Sequence, residues 1–319
     1  MAVLAGIDEA GYGPILGPLV VSSSVFSLPS SLLPGDLWQV LRKSIGEKRQ
    51  HLAGRLLVCD SKKAYSRAVG VRHLERTALA FLRCVSEEPA TSGELLRIVC
   101  PDLSERLASY PWYSAAGDYR IVADGADIAL ASQVLKSDLA SMGIDFLAFR
   151  SCCLDVAYYN RMMAAVKNKA RVLFGATAHL IKHVYDNFAS DELQIVVDRQ
   201  GGRIRYRRDL QRMFPEMELR IICESAHTSS YELTEAGRRM RLHFVVGADG
   251  RFMPAALASM VSKYVRELLV ASINRYFLRL DSRLRPTAGY WKDGVRFIKD
   301  LKANNPEVEF DSNQLIRCR

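Results

Sequence analysis

Four short apolar runs in this chain each lead into an acid. Leu4-Ala5-Gly6-Ile7 meets Asp8-Glu9, Leu57-Val58-Cys59 meets Asp60, Ile195-Val196-Val197 meets Asp198, and Phe244-Val245-Val246 stops just short of Asp249. Short apolar runs with little alternation read as strands covered on both faces. Such strands need helices above and below them, so the pattern predicts an α/β fold around a mixed sheet. The ends of strands, and the loops that follow, are where such sheets collect their ligand chemistry.

The rest of the chain is read around that frame. Strands are expected at residues 2–7, 19–25, 55–58, 146–152, 194–197, 219–223 and 242–246, with an extended piece near 229–233. Helical spacing of apolar positions covers residues 35–45, 71–86, 158–187, 203–214 and 253–277, with Pro254 acceptable in a first turn. Residues 87–145 read as an inserted subdomain, with Tyr110, Trp112, Tyr113 and Tyr119 filling its core.

With 49% hydrophobic and 25% charged residues the composition is globular, which excludes a disordered or fibrous chain. No apolar run is long enough to span a bilayer, and Asp8 and Glu9 interrupt the start where a signal peptide needs an apolar stretch. The seven cysteines are odd in number and contain no CxxC pair, so neither a disulfide framework nor a zinc site is expected. A reduced, cytoplasmic protein is the expectation, monomeric and without membrane contact. The net charge of +9 favours a polyanionic partner, because neutralised phosphates release condensed counterions.

Carboxylates gathered from several strands repel one another unless cations or protons intervene. Hard oxygen donors without paired His or Cys favour Mg²⁺ or Mn²⁺ over Zn²⁺. Two such ions about 4 Å apart activate water and stabilise a leaving oxygen in phosphodiester hydrolysis. The stretch Gly11-Tyr12-Gly13-Pro14 follows the first acids and lets backbone amides approach a phosphate or sugar.

Gly6-Ile7-Asp8-Glu9-Ala10-Gly11-Tyr12-Gly13-Pro14 resembles the DEAGRGP signature of the type 2 ribonucleases H, the ribonuclease HII family. Asp60-Ser61-Lys62-Lys63 matches that family's DSKK, and the strand ending in Asp198 resembles the one carrying its third catalytic Asp. Asp249 is followed by Ala258-Ser259-Met260-Val261-Ser262-Lys263-Tyr264-Val265-Arg266-Glu267, similar to the family's ASILAKVTRD at the same interval. Gly289-Tyr290 looks like its late GY. The resemblance covers residues 1–86, about 146–200 and 242–300.

The resemblance implies a ribonuclease H-like fold: a central mixed sheet flanked by helices, with an inserted subdomain. Residues 1–280 would form the catalytic domain, carrying additions at 87–145 and 199–241, and residues 281–319 a C-terminal segment with the Gly-Tyr motif. The implied activity is a two-metal endonuclease using Mg²⁺ or Mn²⁺. It would hydrolyse the RNA strand of RNA–DNA hybrids, or cut at ribonucleotides embedded in DNA, leaving 3′-hydroxyl and 5′-phosphate ends. Asp8, Glu9, Asp198 and Asp249 would be catalytic metal ligands. Gly11 and Gly13 would contact the ribose 2′-hydroxyl beside Tyr12. Lys62 and Lys63 would lie near phosphates, with Ser259, Lys263 and Arg266 joining them, and Tyr290 would stack on a sugar.

Tyr12 stands where the family has arginine, and a phenol supplies neither the charge nor the forked donors of a guanidinium. Arg203, Arg205, Arg207, Arg208 and Arg212, with Tyr206 among them, could line a nucleic-acid groove or form a solvated helix face. His179 and His183 lack the glutamate of a zinc helix. Cys152 and Cys153 point to opposite sides of a strand, and His227 near Glu224 has no nucleophile beside it. The alternatives to the hybrid nuclease are a nuclease of the same fold with another nucleic-acid substrate, and a non-catalytic nucleic-acid-binding module.

Overall fold

The computed structural model describes the chain apart from residues 67, 87–88, 115–120, 122, 189 and 319, so Tyr119 lies outside the described residues. Its main sheet is built from β1 (Ala2–Ala10), β2 (Leu19–Leu28), β3 (Asp145–Leu154), β4 (Glu192–Asp198), β5 (Glu218–Glu224), β6 (Thr228–Glu235) and β7 (Arg238–Val245). Their order across the sheet is β3-β2-β1-β4-β7-β6-β5. β3–β2 and β2–β1 pair antiparallel, β1–β4 and β4–β7 pair parallel, and β7–β6 and β6–β5 pair antiparallel.

The described helices of eight residues or more are α1 (Arg72–Leu82), α2 (Ser92–Val99), α3 (Gly125–Ser141), α4 (Val156–Val166), α5 (Lys169–Phe188), α6 (Met253–Leu280) and α7 (Trp291–Asn304). They cover both faces of the sheet, and β1 shows why. Val3, Ala5 and Ile7 join the apolar cluster that includes α4 and α5, whereas Leu4 joins the one that includes α6. Alternate side chains of one strand thus feed two cores, which is what an apolar strand without polar alternation requires. The mixed sheet with flanking helices follows from that pattern.

Gly6 marks the crossing of α6 over β1. A Cβ there would stand 2.1 Å from the Pro254 carbonyl carbon, so the helix start rests directly on the strand backbone. Hydroxyls complete the contact: Ser262 Oγ donates to the Asp8 carbonyl at 2.9 Å and is hydrogen-bonded with Ser22 Oγ at 2.8 Å.

Several expectations change in the folded chain. The helical region at 158–187 is two helices, α4 and α5, because Lys167 turns left-handed (φ 51°) and the Asn168 side chain accepts the Arg171 amide, capping the second helix. The helix expected at 35–45 is a single turn, Leu37–Val40. The extended piece near 229–233 is the full strand β6, so residues 199–241 supply a hairpin at the edge of the sheet. Within it Tyr206 is buried and stacks on Phe244 at 3.6 Å, and so offers no face to a base. Arg203 pairs with Asp209 over the Tyr206 ring, while Arg205, Arg207, Arg208 and Arg212 stay exposed. Leu95, Val99, Trp112, Ile128 and Leu135 of residues 87–145 pack in the same cluster as Phe26 and Leu257.

Candidate active site: an acidic cluster beside exposed lysines

Strand register brings the acids together. Val197 of β4 lies opposite Ile7 of β1, so the next residues, Asp198 and Asp8, emerge side by side. Asp198 accepts the Ala248 amide at 2.7 Å, which draws the turn holding Asp249 onto the end of β4. Carboxylate oxygens of Asp8, Glu9 and Asp198 all lie within 4.8 Å of one another, and among the described residues this is the one group of His, Cys, Asp or Glu close enough to hold a metal ion. Asp249 stands beside this trio and not in it, near enough for its charge to act on Asp8 and Asp198.

The electrostatics follow from burial. Asp8 is 6% exposed, and burial, followed by the charges of Glu9 and Asp198, holds its carboxyl well above the usual carboxylate range. Burial and then Asp198 push Glu9 up to about 7, and burial with the charge of Asp249 pushes Asp198 up to about 6. Asp249 is raised by burial and then by Asp60, a close neighbour. Acids this near to one another favour protons or a cation.

The compensating charge comes from one turn. Asp60 caps the helical turn Ser61–Ala64 by accepting the Lys62 amide at 2.8 Å, and Ser61 Oγ bonds Ser259 Oγ at 3.1 Å to hold the turn on α6. Lys62 and Lys63 remain exposed, and the Lys62 charge lowers Glu9, Asp198 and Asp249. A cavity of about 390 Å³ adjoins them, lined by Lys48, Arg49, Asp60, Lys63 and Asp249 among others.

The glycine loop is fixed from beneath. Gly11 adopts φ +92°, and a Cβ would lie 2.6 Å from the Pro18 carbonyl and 2.7 Å from the Arg266 side chain, whereas Gly13 faces open space. Tyr12 is half-buried, with the Lys169 ammonium 4.4 Å from its ring centre. Tyr290 is 50% exposed beside the loop, since the neighbouring Gly289 carbonyl accepts the Ile15 amide at 2.8 Å.

Three of the α6 residues proposed for phosphate contact are turned inward. Ser259 is buried. Lys263 bonds Glu267 at 2.7 Å over the Tyr65 ring. Arg266, 1% exposed, bonds Glu267 at 3.1 Å and donates to the Leu16 and Ala288 carbonyls at 3.3 and 3.0 Å, so its charge braces two loops instead of facing solvent. Their spacing on a helix signals one shared face and does not reveal that the face is covered. His183 meets the Asn187 amide at 3.1 Å, and Glu224 accepts from Tyr231, which leaves His227 exposed without it. Asp60, one of the four acids that follow apolar runs, stands next to Asp249, whereas the part played by Glu267 as partner of Lys263 and Arg266 was not expected.

No protein-family model matches this sequence, and no curated protein matches it. Among solved structures it is similar to that of the PCNA:RNase HII complex from Archaeoglobus fulgidus, at 16% identity and a TM-score of 0.49, covering 99% of this chain and 94% of that one. It is also similar to Bst-RNase HIII in complex with Mn²⁺, at 14% identity and a TM-score of 0.45, over 99% of this chain and 66% of the other. The ribonuclease H2 from Pyrococcus horikoshii OT3 aligns at 12% identity with a TM-score of 0.42, over 98% and 92% of the two chains.

Proposed function

We propose that this chain is a divergent type 2 ribonuclease H, a metal-dependent endonuclease for the RNA strand of RNA–DNA hybrids or for ribonucleotides embedded in duplex DNA. The observation that carries the reading is the meeting of Asp8, Glu9 and Asp198 within 4.8 Å, with Asp249 alongside and Lys62 exposed at the rim. The donor set is all carboxylate, which suits Mg²⁺ or Mn²⁺. Asp8, Glu9, Asp198 and Asp249 would hold such ions, with Asp8 as the ligand shared by two. When bound, the ions supply activation of water and neutralisation of the departing oxygen, leaving 3′-hydroxyl and 5′-phosphate ends.

The remaining roles belong to the protein. Ser262 fixes the backbone of Asp8 from α6, and Ser259 hydrogen-bonds its carboxylate. Lys62 and Lys63 attract phosphates without reading sequence. The open face at Gly13 lets the loop approach a 2′-hydroxyl, the group that separates RNA from DNA, and half-exposed Tyr290 offers a ring to the sugar. Arg266 would act as a brace for that loop, and Lys263 as the partner of Glu267, and neither as a phosphate contact.

Cleavage in Mn²⁺ of three duplexes tests the reading: an RNA–DNA hybrid, a DNA duplex with one ribonucleotide, and an all-DNA control. Incision confined to the first two is expected, and Asp8→Asn should reduce it roughly 10³-fold while hybrid binding persists. Cutting of the all-DNA control would favour a nuclease with another substrate, to which Tyr12 under Lys169 is suited. Binding of all three without cutting would leave a non-catalytic module.

A further inference from the structure

The loop of residues 11–14 is held by a residue 306 positions away. Arg317 Nη2 donates to the Gly11 carbonyl at 2.6 Å and also to the Pro14 carbonyl. The segment carrying it is itself fastened twice. The Arg317 amide bonds the Ile15 carbonyl at 2.8 Å, and Ile316 bridges Leu16. Asn160 of α4 donates to the Ile316 carbonyl at 2.9 Å and accepts the Cys318 amide at 2.8 Å.

We propose that Arg317 is a positioning residue for the bound strand, fixing the glycine loop so that its Tyr12 amide faces the nucleic acid. The inference rests on the reading above, in which that loop meets the substrate. Its physical basis is the trans peptide: C=O and N–H of one unit point opposite ways. With the Gly11 carbonyl drawn onto the buried guanidinium, the Tyr12 N–H is turned away from it. With the Pro14 carbonyl drawn the same way, the Ile15 N–H points to Gly289, whose neighbour is Tyr290. One side chain thereby sets the orientation of the Tyr12 amide and, through Ile15 and Gly289, the distance of the loop from the exposed tyrosine.

Stability alone accounts poorly for the arrangement. Arg317 is 3% exposed, and its Nε and Nη1 are buried with no hydrogen-bond partner. The Arg266 guanidinium, also buried, lies near enough to repel it, and burial followed by that charge lowers Arg317 to about 10. Two carbonyls are held more cheaply by a neutral amide, because burying an incompletely bonded charge is costly.

The test uses the full chain carrying Asp8→Asn to block turnover, and the probes are an RNA–DNA hybrid and an all-DNA duplex of equal length. Arg317→Gln should lower the hybrid-to-DNA affinity ratio about 10-fold, and Arg317→Lys, which keeps charge without the fork, about 3-fold. Hydrogen exchange at residues 12–16 should quicken in both variants while β2 keeps its protection. A purely structural role would shift both affinities together. An unchanged ratio in either folded variant overturns the proposal, as do unchanged exchange rates, and the Lys variant decides if the Gln variant fails to fold. If the unsubstituted loop binds both duplexes equally, the functional reading fails; the exchange rates still decide the clamp.

Discussion

Three carboxylates share the space at the end of β1, and the protein without metal must tolerate them. Glu9 is raised from 4.5 to about 7 and Asp198 from 3.8 to about 6, by burial first and neighbouring charge second. Groups raised in the folded state take up protons more readily there than in the unfolded chain. Their stabilising contribution is therefore complete below about 4 and lost as pH climbs to about 7. Thermal unfolding of the metal-free protein should fall across that window, and Mg²⁺ at neutral pH should restore the loss by binding only the folded state. Asp8→Asn should flatten the profile and raise the metal-free midpoint. A midpoint that rises steadily from pH 4 to 7 would contradict this account. These acids were legible in the sequence because each follows an apolar run. Arg317 was not, since a contact across 306 residues leaves no local periodicity. Burial misled at Lys263 and Arg266, whose helical spacing is the same whether their face meets solvent or Glu267.

At the scale of elements, α6 does more than cover the sheet. Its start rests on the backbone of β1 at Gly6, and about one and two turns later Ser259 and Ser262 reach the strand end that carries Asp8. Gly6→Ala cannot be accommodated without displacing backbone, so a loss of about 3 kcal/mol is expected in urea unfolding. Ser262→Ala removes the donor to the Asp8 carbonyl and should lose about 1–2 kcal/mol. Because the carbonyl belongs to a proposed ligand, the same change should also weaken Mn²⁺ binding measured by calorimetry. If Gly6→Ala unfolds like the parent, the helix does not sit where the geometry places it. Strands β1 to β4 were readable from their apolar runs, whereas the hairpin of β5 and β6 was only half seen. β5 was read from its run at residues 219–223, whereas β6 was read only as an extended piece, because Ser229, Ser230 and Glu232 are buried in a strand with no continuous apolar run. The break between α4 and α5 escaped because Lys167 and Asn168 interrupt neither apolar spacing nor composition; the stop lies in one residue's φ.

Over the whole molecule, the excess of 44 basic over 35 acidic residues opposes the acids' own field, which would otherwise repel a polyanion from the site. Much of the basic excess cannot take part, because Arg199, Arg266 and Arg317 are buried and Arg203 is spent on Asp209. The exposed Lys62 and Lys63 lie beside the acids, so they should contribute to phosphate binding out of proportion to their number. Counterion release makes this measurable: each lost phosphate contact should reduce the slope of log affinity against log salt by about 1. Lys62→Ala and Lys63→Ala should each do so for a hybrid in the Asp8→Asn background, while Lys299→Ala, on α7, should leave the slope unchanged. Because Lys62 also faces Glu9, Asp198 and Asp249, its loss should raise the metal-free affinity of the acids for protons, which Lys63→Ala should not do to the same degree. Equal slopes for all three variants would mean that the strand is held by the basic surface at large, with the lysines of this turn no more than part of it.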